Sequence, residues 1–210
     1  MYTLYGFHGS GSAAVEMALV RVGQPYRLVE AASWEPSTSA YAELLTVNPL
    51  GQIPTLRLPD GAVLTESAAI LIELGLRYPE HGLLPTDAAA RAQAIRGLVY
   101  IAANCYAAIS IGDFPERWCD NADADLRARI RAGARQRLHE HWRIFADQFP
   151  ATPWLSGARL GGLDMLVAVV SRWSGARAYL ARERPDFAAL LARIEAEGEL
   201  VPLFARHWPS

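Results

Sequence analysis

The spacing of apolar residues changes character once, at Pro79. Before it, short β-type runs alternate with helical ones; after it, only helical spacing remains. Residues 2–5 read as a strand, and Gly9-Ser10-Gly11-Ser12 as a turn into a helix over 13–22. Gly23-Gln24-Pro25 breaks that helix, and Tyr26, Leu28 and Glu30 alternate as a second strand. A short helix over 41–47 stops at Asn48-Pro49. Residues 55–58 and 62–64 flank Pro59-Asp60-Gly61, a hairpin signal with Asp-Gly at the turn. Residues 66–78 follow as a helix. A βαβ unit requires a parallel pair and a hairpin an antiparallel one, so the sheet is mixed, with helices on both faces.

The rest predicts a bundle. Residues 79–86 (PEHGLLPT) read as a linker between an α/β domain over 1–78 and an all-helical domain over 87–210. Residues 87–111 form one helical stripe. A longer stripe runs through Leu126, Ile130, Ala134, Leu138, Trp142, Phe145 and Phe149, with arginines on its other faces. Residues 163–173 are almost wholly apolar and predict a buried central helix. Residues 186–197 read as the last helix and 201–210 as a tail.

Composition excludes several chemistries. Hydrophobic residues make up 51% and charged residues 20% of the 210, which is globular. A net charge of -2 gives no footprint for nucleic acid or an anionic membrane surface. All 20 basic residues are arginine, so no lysine Schiff base or GxxxxGK[ST] phosphate loop exists. No apolar run approaches the roughly 18 residues of a membrane span, so no helix is expected to cross a bilayer. The opening MYTLYGFHG has no signal-peptide pattern, and Cys105 and Cys119 form no CxxC pair. The expected location is cytoplasmic.

Four constellations carry possible chemistry. Ser10 and Ser12 stand where the partial positive charge of a helix N-terminus holds an anion, although serine there is also a common cap. Gly9, Gly11 and Ala14, with Glu30, imitate a dinucleotide fingerprint. Phe7 and His8 intervene, however, and the helical second half leaves no room for a doubly wound sheet. In Gly51-Gln52-Ile53-Pro54, a cis Pro54 would turn the Ile53 backbone toward a strand-like peptide ligand. Glu66 and Ser67 open a helix where an acid and a hydroxyl can take both halves of an α-amino acid; capping is the alternative. Asp164, after Gly161-Gly162-Leu163, reads as structural. His139 and His141 face different ways and make no metal site.

In order, these segments resemble the cytosolic glutathione transferases over the whole chain, most specifically in GQIPTL and TESAAI. The resemblance implies a thioredoxin-like first domain, a helical second domain and a cytoplasmic homodimer. It implies glutathione as co-substrate, with no metal. Gln52, Ile53 and Pro54 would line the glutathione site, Ile53 pairing its backbone with the cysteinyl unit. Glu66 and Ser67 would bind the γ-glutamyl group. The resemblance implies a serine-type mechanism, since the turn lacks the cysteine of the reductase types and Tyr5 in the strand fits the tyrosine types less well; Ser10 is the best match for the thiol contact and Ser12 the second. His8, Tyr100, Tyr106 and Phe114 are the expected walls of a hydrophobic electrophile pocket. The activity implied is attack of the glutathione thiolate on an electrophilic small molecule, as in detoxification. A glutathione-dependent isomerase or lyase, or a non-catalytic interaction protein, is the alternative. Two departures stand out. No cation stands at Gln52 or Ser37–39 to meet the glycine carboxylate, and Gly161 stands where a helix-capping motif usually has Ser or Thr.

Overall fold

The computed structural model describes residues 1–32 and 34–209. Four strands, β1 (Tyr2–Gly6), β2 (Tyr26–Glu30), β3 (Thr55–Arg57) and β4 (Val63–Thr65), form one sheet in the order β2-β1-β3-β4. β1 pairs parallel with β2 and antiparallel with β3, which closes the hairpin with β4. The helices between them are α1 (Ser12–Arg21), α2 (Ser39–Val47) and α3 (Ser67–Arg77). Alternation along β1 separates two cores. Tyr2 and Leu4 pack with Met17, Leu19, Ile70 and Leu71 of α1 and α3. Tyr5 packs on the other face with Val29 and Leu44 of α2. This is the mixed sheet that the pattern before Pro79 predicts, with the thioredoxin-like fold that the resemblance implies.

After it come α4 (Ala88–Tyr100), α5 (Ala107–Asp113), α6 (Ala124–Gln148), α7 (Gly162–Val170), α8 (Ala176–Glu183), α9 (Pro185–Glu195) and α10 (Val201–His207). Every residue of α7 is buried, as its composition predicts, and α7 packs against α1, α3, α4 and α9. α7 thereby joins the helical bundle to the sheet unit.

Four expectations change. The segment read as a linker is packed: Pro79–His81 forms a 3₁₀ turn, Leu83 and Leu84 are buried, and Gly162 N donates to Leu83 O. The stripe over 87–111 is interrupted by a π-helical turn, Ile101–Tyr106. There the Asn104 side chain donates to Tyr100 O at 3.1 Å, a bond that competes with the regular ladder. The whole run Ala88–Asp113 is long and apolar enough to cross a membrane, although polar residues interrupt it in the sequence. Its apolar side chains Leu98, Ile101, Cys105 and Ile109 are buried in the protein core. Residues 201–207 form α10 instead of a tail, and α8 was not anticipated; Ser210, the end of the expected tail, lies outside the described residues.

Candidate functional site

A cavity of about 380 Å³ opens between the sheet's loops and the α4–α5 run. Its lower side is Ser10, Gly11, Gln52, Ile53, Pro54, Glu66 and Ser67; its upper side is Tyr106, Ile109, Phe114 and Trp173, with Trp34 beside the loops. The structure thus brings together the three segments singled out in the first domain.

Two serines close the first corner. Ser10 lines the cavity, whereas Ser12 lies behind it, 1% exposed. Ser10 Oγ donates to Phe7 O at 2.8 Å and accepts from Ser12 N at 3.2 Å. Ser12 Oγ lies 2.8 Å from Ser10 Oγ and 3.2 Å from Phe7 O, and accepts from Phe7 N at 3.1 Å. The cap of α1 is Gly11, which has no side chain to donate or accept, so the expected capping role of Ser12 is not the one observed. Ser12 ties the turn back onto the end of β1.

The second corner is the loop before β3. Asn48 Nδ2 donates to Gln52 O at 3.0 Å and to Thr55 Oγ1 at 2.9 Å, and Asn48 Oδ1 accepts from Leu50 N. This buried clamp fixes the Ile53–Pro54 segment, whose peptide bond is cis. Sequence spacing marks Asn48 only as a helix stop; its amide, with a donor and an acceptor, is the signal for the clamp.

At the third corner Glu66 adopts φ 63° and ψ 110°, outside the regions favoured by residues with a Cβ. Such a conformation costs roughly 1–3 kcal/mol and clusters at binding sites. α3 has no side-chain cap, so the capping alternative for Glu66 and Ser67 is not realised.

The electrophile-side expectations divide. Tyr106 and Phe114 line the cavity. Tyr100 does not: its hydroxyl donates to His141 O at 3.0 Å, and its ring packs against Phe145 and Phe149 inside the bundle. His8 is half exposed and pairs with Glu30 at 2.8 Å, which also occupies the acid of the dinucleotide reading. Trp34, Trp173, Ser110 and Asp113 line the cavity without having been anticipated, because nothing in local spacing separates them from core or surface residues.

The charges in the cavity are acidic. Glu66 and Asp113 line it, and no arginine does among the described residues. Burial pushes the Asp113 carboxyl above its ordinary value, with Arg131 pulling it back. Burial likewise pushes the Tyr106 phenol up to about 12.

Behind the first corner, His207 of α10 reaches the same turn. Gly9 N donates to His207 Nδ1 at 3.3 Å, so Nε2 carries the proton and donates to Glu16 Oε2 at 2.6 Å. Glu16, buried on α1, also accepts from Tyr26 and pairs with Arg206. Burial would raise its carboxyl, but the bonds from His207 and Tyr26 and the Arg206 charge hold it below its ordinary value.

Known proteins with this arrangement are numerous. A model of the glutathione S-transferase N-terminal domain matches residues 12–77. The uncharacterized GST-like protein YncG of Escherichia coli K12 is 32% identical over 174 residues, 82% of each chain. Glutathione S-transferase GstA of Escherichia coli O157:H7 is 28% identical over 170 residues, 79% of each chain. A glutathione transferase homolog from Sulfitobacter, solved with bound glutathione, superposes with a TM-score of 0.84 over 97% of this chain and 96% of its own, at 24% identity. The identity to YncG over most of both lengths, with the matching domain model, carries the assignment: the chain belongs to the glutathione S-transferase family.

Proposed function

We propose that the protein is a cytoplasmic glutathione transferase that binds the tripeptide across the three corners and directs its sulfur at an apolar electrophile. The observation that carries this reading is the convergence of Ser10–Gly11, Ile53–Pro54 and Glu66–Ser67 on one cavity whose opposite wall is aromatic. Glu66 takes the γ-glutamyl ammonium; Ser67 and the first amides of α3 take its carboxylate. The Ile53 backbone pairs with the cysteinyl unit in strand fashion. The sulfur then lies at the N-terminus of α1, where the helix charge and an oriented hydroxyl favour the thiolate. Ser10 is the serine on the cavity side, and Ser12 holds the turn. The thiolate attacks an electrophilic carbon seated among Phe114, Ile109 and Trp173, forming the C–S bond as the leaving group departs with its electron pair. We further propose a homodimer covering exposed apolar side chains such as Leu76 and Val99; light scattering at twice 23.0 kDa checks it.

Calorimetric titration with glutathione, followed by a conjugation assay with a chlorodinitrobenzene, tests the reading. Saturable binding and chloride release are expected. The absence of a cation among the described residues lining the cavity favours one other reading, a non-catalytic interaction protein on the same scaffold. Absence of binding at millimolar glutathione would favour it.

A further inference from the structure

The turn that carries Ser10 is tied at its base and at its apex by different parts of the chain. It closes on itself through Ser10 N, which donates to Phe7 O at 3.3 Å, and Gly9 at its apex has φ 66°. Glycine adopts that left-handed angle without strain. At the base, Phe7 N donates to Ser12 Oγ at 3.1 Å, which anchors the turn to α1. At the apex, Gly9 N donates to His207 Nδ1 at 3.3 Å. The neighbouring His8–Glu30 pair, at 2.8 Å, is half exposed on both sides, so water competes with it. The His207 imidazole is buried, as is its other partner, Glu16.

Three features fix the imidazole for this contact. Its Nε2–H donates to Glu16 Oε2 at 2.6 Å, which leaves Nδ1 as the acceptor aimed at Gly9. Glu16 stands on α1, the helix whose capping residue Gly11 lines the cavity, so turn, histidine and helix form a closed ring of contacts. Trp208, just after α10, floors the apex: a Cβ built on Gly9 would lie 3.4 Å from Trp208 Nε1 and 3.5 Å from His207 O. The Arg172 guanidinium, paired with Glu195, stacks on the Trp208 ring at 4.4 Å. His207, Glu16 and Trp208 stand outside the cavity lining and reach it through Gly9 and Ser10, which belong to it. Gly9 is partly exposed, and water could satisfy its N–H. What a buried imidazole in one tautomer adds is a fixed direction for that N–H.

We propose that His207 is a positioning residue of the thiol corner: by holding the Gly9 N–H it sets where the Ser10 hydroxyl meets the sulfur of bound glutathione. This rests on the glutathione reading above and extends it to a residue that touches no substrate. Ser10 follows Gly9 directly, so a shift of the Gly9 peptide carries the hydroxyl with it. A misplacement of about 1 Å can cost up to roughly a hundredfold in rate. The γ-glutamyl and cysteinyl corners are built by other loops, so the tripeptide's affinity depends little on this contact. No proton passes through the imidazole; it acts as a strut.

Two amide substitutions separate its two bonds. His207→Asn puts an oxygen at the distance of Nδ1 and keeps an acceptor for Gly9, but gives up the bond to Glu16. His207→Gln puts a nitrogen at the distance of Nε2 and keeps the donor to Glu16, but gives up Gly9. The readouts are the ultraviolet absorbance of thiolate in bound glutathione against pH, and kcat and KM for chlorodinitrobenzene conjugation, below the melting range of every variant. In His207→Gln the thiolate fraction below the pKa is expected to fall about three- to tenfold, and kcat with it, while KM for glutathione moves less than about twofold. His207→Asn is expected to recover most of both. It nevertheless loses the bond to a charged group, so it should melt lower than His207→Gln. A structural role alone predicts the reverse, with activity following Tm. Adding Ser10→Ala to His207→Gln should cost little beyond Ser10→Ala alone. Thiolate losses that track Tm, or independent, additive losses from Ser10 and His207, overturn the assignment. If wild type itself binds no glutathione, the glutathione reading fails and takes this proposal with it. A wild-type thiolate that survives unchanged in His207→Gln removes this proposal alone.

Discussion

Ser10 and Ser12 share one carbonyl, Phe7 O, and their two roles could be separated only once that carbonyl was placed. A Gly-Ser-Gly-Ser turn presents two equivalent hydroxyls in sequence; three-dimensional closure onto β1 puts one at the cavity and one behind it. Position 52 shows the complementary case. Gln52 is exposed at the cavity rim, and the absence of a cation there was visible in the sequence. The structure adds that no arginine from elsewhere lines the cavity among the described residues. Gln52→Arg is therefore expected to tighten glutathione binding by about two- to fivefold, the range of an exposed ion pair. The gain should fade as salt rises. Calorimetry at two ionic strengths measures both; equal affinities for the two proteins would show that the glycine carboxylate does not approach this position.

At the scale of elements, periodicity carried most of the information. The strands, α1 to α3 and the wholly apolar α7 follow from spacing and turn residues. What spacing cannot show is a change of helical register, so the π-helical turn was read as continuous α-helix. The entry to α7 teaches a similar lesson. Gly161 looked like a weakened cap, yet a Cβ there would lie 2.7 Å from Ser156 Oγ and 2.7 Å from Leu83 O. The space a capping side chain would need is filled by neighbours, and Asp164 supplies the bonds instead. Its carboxylate accepts from Leu155 N, Ser156 N and Gly161 N at 2.8–3.1 Å. Burial pushes this carboxyl above its ordinary value and the backbone bonds pull it down. Asp164→Ala would leave these N–H groups without their carboxylate beside a buried helix. A loss of about 3–5 kcal/mol is expected, read by chemical denaturation. A loss under about 1 kcal/mol would mean that water replaces the carboxylate.

Across the whole molecule, the contacts least visible in the sequence join residues far apart along it. Glu16 and His207 are separated by 191 positions, and no local pattern links them. Their coupling predicts an acid response. A carboxyl held below its ordinary 4.5 contributes stability that is complete above that value. The contribution is lost as pH falls through the lower folded value. Glu16→Gln should therefore flatten the stability profile below pH 4.5. His207→Ala should cost about 1.5–3 kcal/mol at neutral pH, the range for a hydrogen bond to a charged group, because Tyr26 and Arg206 remain on the carboxylate. Urea melts across pH check both, and an unchanged acid limb in Glu16→Gln would assign the acid response to other groups. The same contact orders events in time. Gly9 is made 198 residues before His207, yet Gly9 N–H finds its acceptor on that histidine. A nascent chain can fold its sheet while the helical half is still being made. It cannot tie down the turn beside Ser10 until α10 has emerged, so each molecule gains its finished site only after its helical half has been made.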